Sequence, residues 1–303
     1  MFPILKYFSF SGTKILIAGG RPREIEDSIS SYILEVYFNE TSITKIEYKD
    51  LPNVPHSFIE AAFGSFKGRT LIMGGYSRYG RKCFELDQEE YKFIPSLNVN
   101  RWSAASTFIR NKVIVAGGWH TIETPSDTIE ILYWDESNRG SQWIESPSRL
   151  PIAVARHTMV TLNNKLYLIG GWDGSDMLDT IWIGTLDSKD YEINWVQMEL
   201  RLQKKRHAHF SFVISNQIII FGGLDIEDDV VEIIEGDELK QGPTVPFTLY
   251  SWDDQAVLDR KNRIIITSAE AGLIVYDHQK GTFTPYDDLK IREERTRYAA
   301  ILQ

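Results

Sequence analysis

Three histidines are the residues whose type and spacing first suggest chemistry. His207 and His209 are two positions apart in a segment that predicts a strand, so their side chains would share one face. Neutral imidazole is a common ligand of transition metals, and with His157 the three side chains would form a candidate metal site. However, His157 and His207 each follow an arginine, which indicates one recurring position in different repeats. We therefore expect no metal and no cofactor.

Motifs of the main catalytic classes are absent from the sequence. It contains no GxSxG elbow, no HExxH pair and no phosphate loop ending in Gly-Lys-Ser/Thr. Acidic runs such as Glu227-Asp228-Asp229 and Asp253-Asp254 are present. In a loop such a run is usually a solvated turn, so we expect no catalytic residues.

Charge and cysteine content narrow the classes of partner. The 303 residues carry a formal net charge of -9 and no long basic run, which argues against binding to nucleic acid through its phosphates. No segment approaches the about 18 apolar residues of a membrane span, so we expect no membrane partner. Cys83 is the single cysteine and cannot form an internal disulfide, which fits a reducing, cytoplasmic location.

An apolar run that ends in two glycines recurs along the chain and is its strongest pattern. The doublets are Gly19-Gly20, Gly74-Gly75, Gly117-Gly118, Gly170-Gly171 and Gly222-Gly223, and a worn sixth copy ends in Ser268-Ala269. Each run is short, rich in Ile, Val and Leu, and followed by a turn signal. This pattern predicts a buried strand in every repeat.

Other residue types recur around each doublet. The segment before it contains an arginine that opens another strand, at Arg101, Arg156 and Arg206. The segment after it contains a strand that closes on an aspartate, at Asp135, Asp187 and Asp277. A fourth strand carries Trp143 or Trp195 at matching places. Four short strands in each repeat predict a radial arrangement of sheets.

This order of arginine, paired glycines, aspartate and tryptophan resembles the kelch repeat over nearly the whole chain. The resemblance implies an all-β fold, a six-bladed kelch-type β-propeller with four antiparallel strands in each blade, as a single domain over residues 1–303. The expected blades cover residues 11–50, 56–96, 101–148, 156–200, 206–245 and 250–287. Either residues 7–10 or residues 297–302 would supply the innermost strand of the first blade, and we expect the C-terminal segment, 297–302, to close the ring.

The segments after the glycine doublets and before the innermost strands should meet on one face, because these two strands are antiparallel. Such loops, held by a rigid scaffold, are where ligands bind. The expected partner-binding residues are Arg21, Arg23, Tyr76, Arg78, Arg81, Trp119, Trp172, Arg101, Arg156 and Arg206. Packing against the neighbouring blade is the other interpretation of the two tryptophans, and bonds between blades are the other interpretation of the arginines that open strands.

Charge on this expected face is uneven. The basic residues of blades one and two, together with Lys204 and Lys205, contrast with Asp225, Glu227, Asp228 and Asp229 in blade five. Either these charges are those of an ordinary solvated surface, or the basic side accepts an acidic peptide as the partner.

We expect a protein–protein interaction module that is not an enzyme. The resemblance implies substrate recognition for a cullin-type ubiquitin ligase, or binding to actin or another cytoskeletal protein. The alternative is a small-molecule enzyme at the propeller mouth, either mutarotase-like or galactose-oxidase-like. For the latter, Cys83 is the only cysteine that could build the copper radical site, and no histidine is near it in the sequence.

Overall fold

The chain folds into small antiparallel sheets. The computed structural model describes residues 12–21, 29–39, 42–54, 59–66, 69–87, 90–122, 124–134, 142–187, 191–251, 254–268, 271–286 and 296–302. Within these ranges, 24 strands form six four-stranded sheets, and no helix is present.

Each sheet is one blade, whose four strands follow one another from the innermost to the outermost. Blade one has β24 (Thr296–Leu302), β1 (Gly12–Arg21), β2 (Ile29–Phe38) and β3 (Ile43–Val54). Blade two has β4 (Ala62–Phe66), β5 (Arg69–Met73), β6 (Cys83–Asp87) and β7 (Glu90–Ile94). Blade three has β8 (Ala105–Ile109), β9 (Lys112–Ala116), β10 (Ile129–Tyr133) and β11 (Trp143–Glu145). Blade four has β12 (Thr158–Leu162), β13 (Lys165–Ile169), β14 (Leu178–Leu186) and β15 (Ile193–Arg206). Blade five has β16 (Phe210–Ile214), β17 (Gln217–Phe221), β18 (Val230–Glu235) and β19 (Glu238–Thr244), and blade six has β20 (Gln255–Leu258), β21 (Arg263–Ser268), β22 (Gly272–Asp277) and β23 (Thr282–Tyr286).

The hydrophobic core lies between neighbouring blades. Ile114, Leu168 and Ile220 are fully or almost fully buried because both faces of their strands are covered. One apolar cluster joins blades two and three, and others join three to four, four to five and five to six. Two more clusters connect blade one to blades two and six. The blades therefore follow one another in a ring, and the prediction of an all-β propeller with four antiparallel strands in each blade is confirmed.

The first blade is completed by the C-terminal strand. β24 pairs antiparallel with β1, with Leu16 opposite Ile301 and Ala18 opposite Ala299. The prediction that the C-terminal segment supplies this innermost strand is confirmed.

The glycine doublets allow backbones to approach closely at the end of the second strand. Gly117 has a φ of 64°, and a Cβ on it would stand 2.5 Å from the carbonyl oxygen of Val154 and 2.6 Å from His157 Cε1, both in the next blade. Gly118 has a φ of 79°, and its Cβ would stand 2.5 Å from Trp102 O in its own blade. The doublet thus holds in place the segments that precede the innermost strands of two successive blades.

Candidate functional site

A chain of backbone hydrogen bonds runs from blade to blade just before the innermost strands. Its members are Glu60, Ser103, Arg156, Ala208 and Ser251, one from each of blades two to six. Each amide from Ser103 onward donates to the carbonyl oxygen of the preceding member, at 2.7–2.9 Å. The first four members have positive φ angles of 52–55°. All five residues line an axial cavity.

This chain of bonds corrects the predicted alignment of the repeats. The amide of the second glycine donates to Arg101 O in blade three, to Val154 O in blade four and to Arg206 O in blade five, at 2.7–2.8 Å. These three residues are therefore equivalent, whereas Arg156 stands two positions later, with Ser103. The interpretation that the three arginines occupy one repeat position is wrong. The hydrogen bond from the second glycine, and not the presence of an arginine, marks equivalent positions in the blades.

Arg101 and Arg206 are buried structural residues, with exposed fractions of 1% and 0%. Arg101 Nη1 donates to Gly117 O at 2.7 Å, and its Nη2 donates to Glu130 Oε1 at 3.1 Å. Arg206 donates in the same way to Gly222 O at 2.7 Å and to Glu232 Oε1 at 2.9 Å. A partner on the surface cannot reach either guanidinium, so their assignment as partner-binding residues is corrected.

The glutamates that pair with these arginines were missed by the sequence reasoning. Glu130 and Glu232 occupy the same position of the third strand, each opposite the residue two before the first glycine. Their second carboxylate oxygens accept the backbone amides of Asn98 at 2.6 Å and Gln203 at 2.7 Å. The signal was present, since each is an acid with an apolar residue on either side of it in the strand.

The segments after the doublets and before the innermost strands lie together, as expected. Trp119 and Trp102 exchange backbone hydrogen bonds of 2.8 and 3.2 Å, and Trp172 and Ala155 exchange bonds of 2.8 and 3.0 Å. We call this side of the propeller the loop face.

Large apolar side chains lie on the loop face over blades two to four. We call this set the aromatic patch; its members are Tyr76, Trp102, Trp119, Ile122 and Trp172. Tyr76 is 51% exposed and meets Trp102 of the next blade edge-on, at 5.1 Å between ring centroids. Ile122 is 80% exposed. Trp119 and Trp172 are half-buried, so each can pack against the protein and still present an edge to a partner.

Trp172 also bridges two blades. Its ring centroid lies 5.8 Å from that of His207, which is buried in blade five. This contact agrees with the packing interpretation of Trp172 without removing its ring from the surface.

Two of the predicted basic residues border the aromatic patch. Arg78 and Arg81 are exposed on the same loop as Tyr76. The Arg78 guanidinium lies 4.9 Å from the centre of the Tyr79 ring, and Arg81 Nη1 donates to Asn98 O at 3.3 Å. Arg21 is the last residue of β1, and its side chain lies outside the described part of the structure, as does the whole of Arg23.

Other charges of the expected face are committed to structural contacts. Lys205 forms an ion pair with Asp176, and Lys204 Nζ donates to Asp228 O at 2.8 Å. Asp229 is only 8% exposed, because its carboxylate accepts hydrogen bonds from Arg206 and from the Gly222 amide, both at 2.7 Å. The prediction that Asp229 adds surface charge is wrong, whereas Asp225, Glu227 and Asp228 are exposed.

The three histidines do not share a strand face. β16 begins at Phe210, and Ala208, with a φ of 52°, turns the chain between His207 and His209. His157 therefore corresponds to His209 and not to His207. Among the described residues, no group of three or more His, Cys, Asp or Glu side chains could hold a metal ion.

The single cysteine is unsuited to redox or nucleophilic chemistry. Cys83 is fully buried in β6, and burial raises the pKa of its thiol to about 12. A thiol in that state is inert, because the thiolate is the reactive form and the metal ligand.

No helix of the described residues is long and apolar enough to cross a membrane.

Comparisons with known proteins agree with the architecture. The model of a family described as the KLHDC2/KLHL20/DRC7 Kelch-repeats domain matches residues 7–223. The chain is 33% identical over 120 residues to human (Homo sapiens) Kelch repeat and BTB domain-containing protein 12, which covers 34% of this chain and 19% of that protein. It is 24% identical over 182 residues to Kelch-like protein 15 of Mus musculus, which covers 55% of this chain and 28% of that protein. Each match thus spans less than a third of the relative's length.

Proposed function

Because the chain belongs to the Kelch-repeat family, we propose that it is a protein-interaction module that binds its partner on the loop face. The observation that carries this proposal is the aromatic patch. Among the described residues, four large apolar side chains are prominently exposed, and two of them, Tyr76 and Ile122, lie in the patch. Grouped exposed apolar side chains mark interaction sites, and aromatic anchors are enriched at binding hot spots.

The charges around the patch favour an acidic peptide that also carries apolar residues. Arg78 and Arg81 stand beside Tyr76, where they would attract carboxylates. The exposed acids of blade five, Asp225, Glu227 and Asp228, would repel the same peptide. An acidic partner would therefore lie toward blade two, with its apolar residues on the patch.

A double charge reversal tests this proposal with a peptide array that varies net charge and aromatic content. Arg78→Glu/Arg81→Glu should weaken binding to acidic peptides by about tenfold, because exposed ion pairs contribute at most about 1 kcal/mol each. The matched control is Arg110→Glu/Lys165→Glu. Both control residues are exposed and belong to the hairpins that join the two innermost strands, at the end of the blades away from the loop face. Equal binding by the two double variants would contradict the proposal.

The aromatic patch needs a separate variant. Tyr76→Ala/Ile122→Ala removes its two most exposed side chains, and it should reduce binding to acidic and neutral peptides alike. A loss confined to the arginine variant would mean that charge alone carries the interaction.

We further propose substrate recognition for a cullin-type ubiquitin ligase as the cellular role, and the cytoplasm as the compartment. The likeness to kelch proteins, one of them named for a BTB domain, supports the role. The buried free thiol of Cys83 agrees with a reducing compartment. Affinity capture of the full-length protein from its source cells should recover a cullin subunit, and its absence from the captured set would count against this role.

A further inference from the structure

Positive charge is concentrated at the end of the propeller away from the loop face. There the innermost strand of each of blades two to six turns into the second strand, so these inner hairpins surround the axis of the ring. The hairpins of blades three, four and six carry four exposed cationic side chains, from Arg110, Lys165, Arg260 and Lys261. We call these four side chains the basic annulus.

The inner hairpins expose no acidic side chain within the described residues. Asp259 is the one acid that the described part of these hairpins contains, and it is only 4% exposed. Its carboxylate accepts a hydrogen bond of 2.7 Å from Arg263 Nε, which fixes it within blade six. A solvated surface usually mixes charges of both signs. Exposed cations without an exposed acid among them therefore favour a negatively charged ligand.

Acidic side chains lie farther from the axis at the same end of the molecule. The turns between the third and fourth strands of blades two, four and five carry the exposed acids Glu90, Glu192, Asp237 and Glu238. In blade six, the exposed Lys280 of this turn is paired with Asp277 at 2.8 Å. A long polyanion that crossed these blades would meet the acids and be repelled. A compact polyanion would reach the basic annulus without that contact.

Hydrogen bonds between neighbouring hairpins hold part of the basic annulus in place. Arg110 Nε donates to Asn164 Oδ1 of blade four at 3.1 Å. Asn163 Nδ2 in turn donates to Asn216 Oδ1 of blade five at 2.7 Å. The inner hairpins of three successive blades are thus linked through their side chains. A surface that is ordered before binding loses less conformational entropy when the ligand arrives.

We propose that the basic annulus binds a compact small molecule that carries several phosphate groups. The planar guanidinium groups of Arg110 and Arg260 present several N–H donors that match phosphate oxygens. Lys165 and Lys261 add charge on flexible stems that adjust to the position of a phosphate. The ligand would connect blades three, four and six across the axis. This site is separate from the proposed function, which concerns the loop face.

Isothermal titration with inositol hexakisphosphate tests the proposal. The two comparison probes are an oligoglutamate peptide of similar charge, which is extended, and myo-inositol, which is neutral. The hexakisphosphate should bind most tightly of the three, and its affinity should fall as salt is added, because exposed charges are screened. Equal or tighter binding of either comparison probe, or no binding of the hexakisphosphate, would overturn the proposal.

A double charge reversal locates the site. Arg110→Glu/Lys165→Glu should weaken hexakisphosphate binding by about tenfold or more, because each exposed ion pair contributes up to about 1 kcal/mol. The matched control is Arg78→Glu/Arg81→Glu, which changes the net charge by the same amount on the loop face and should leave the affinity nearly unchanged. Equal losses in the two variants would mean that net charge, and not a site, attracts the ligand.

The part played by blade six needs its own variant. Lys261→Gln should weaken hexakisphosphate binding by about two- to fivefold, the effect of one exposed charge. Lys280→Gln is the control in the same blade, because Lys280 is exposed but lies outside the basic annulus. Unchanged affinity in Lys261→Gln, or an equal loss in Lys280→Gln, would contradict a site shared by three blades.

The two double variants also separate this site from the proposed function. Peptide binding should depend on Arg78 and Arg81, whereas hexakisphosphate binding should depend on Arg110 and Lys165. Loss of both ligands in one double variant would contradict two separate sites. Because each ligand is measured with both variants, either proposal can fail while the other stands.

Discussion

A buried arginine is retained in two blades, where carbonyl and carboxylate oxygens accept hydrogen bonds from its guanidinium. In blade three, Glu130 accepts Arg101 with one carboxylate oxygen and the Asn98 amide with the other. The corresponding residues of blade four are Pro151, Val154 and Trp182. The proline has no amide to donate, the valine has no charge, and the tryptophan replaces the carboxylate. One backbone geometry thus supports either a hydrogen-bonded polar set or a largely apolar set.

Removing one residue of such a polar set should therefore destabilise the fold more than replacing the whole set with apolar residues. Arg101→Val leaves Glu130 buried without its cation, and we expect a loss of about 3–5 kcal/mol in the free energy of unfolding. The triple variant Asn98→Pro/Arg101→Val/Glu130→Leu follows the apolar pattern of blade four, with a leucine in place of its tryptophan, and should recover most of this loss. Urea unfolding measures both.

The control for this prediction is Arg81→Ala, at an exposed position, which should change stability by less than about 0.5 kcal/mol. If Arg101→Val were no more destabilising than this control, the buried pair would not be structural.

At the scale of the strands, each glycine doublet joins two blades. Because it has no side chain, the first glycine lets the segment before the innermost strand of the next blade approach closely. The second glycine does the same for the corresponding segment of its own blade, as Gly117 and Gly118 show. The doublet recurs because both approaches involve backbone carbonyl oxygens, which cannot move aside as a side chain can.

Two glycines have nearly the same φ angle, but only one of them is closely packed. Comparing them separates the cost of close packing from the cost of conformational strain. Gly117 and Gly236 have φ angles of 64° and 62°, but a Cβ on Gly236 would meet no atom within 4 Å. Gly236→Ala should cost about 1–2 kcal/mol, from the left-handed backbone alone. Gly117→Ala should cost about 1–3 kcal/mol more, because its methyl group would overlap Val154 O and the His157 ring. Equal losses in thermal or urea unfolding would show that close approach is not the reason for the doublet.

The strands were predictable from the sequence, but their register was not. Short apolar runs and paired glycines predicted the second strand of each blade. Trp119 and Trp172 lie beside the segments that precede the innermost strands, as expected. The arginine failed as a marker, because Arg156 and Arg101 are at different distances from the innermost strand. Spacing along the chain does not show which carbonyl a glycine amide will bind.

The charges of the site were less predictable than its aromatic residues. Asp229 and Lys205 are charged loop residues in the sequence, yet one is buried against Arg206 and the other is paired with Asp176. Their partners are more than 20 residues away, so only the fold brings them together. Arg78 and Arg81 are exposed in the loop between β5 and β6.

For the whole molecule, the ring distributes stability over contacts between neighbours. Every apolar cluster among the described residues draws on adjacent blades or on one blade and its neighbour across the closure. The aromatic patch lies on blades two to four, and the basic annulus lies on blades three, four and six. Both sites therefore depend on a ring whose first and last blades are held together by β24.

Removal of β24 is the most direct test of this closure. The strand pairs with β1 and also contacts the innermost strands β20 and β4 of the two flanking blades. Deletion of residues 296–303 should expose the edge of β1 and weaken both interfaces of blade one, lowering the midpoint of thermal unfolding by more than about 10 °C, since 1 kcal/mol corresponds to about 2–4 °C in large domains. Deletion of Gln303 alone leaves β24 intact and is the control. An unfolding transition that is equally sharp and equally high in both deletions would mean that the ring is stable without its closing strand.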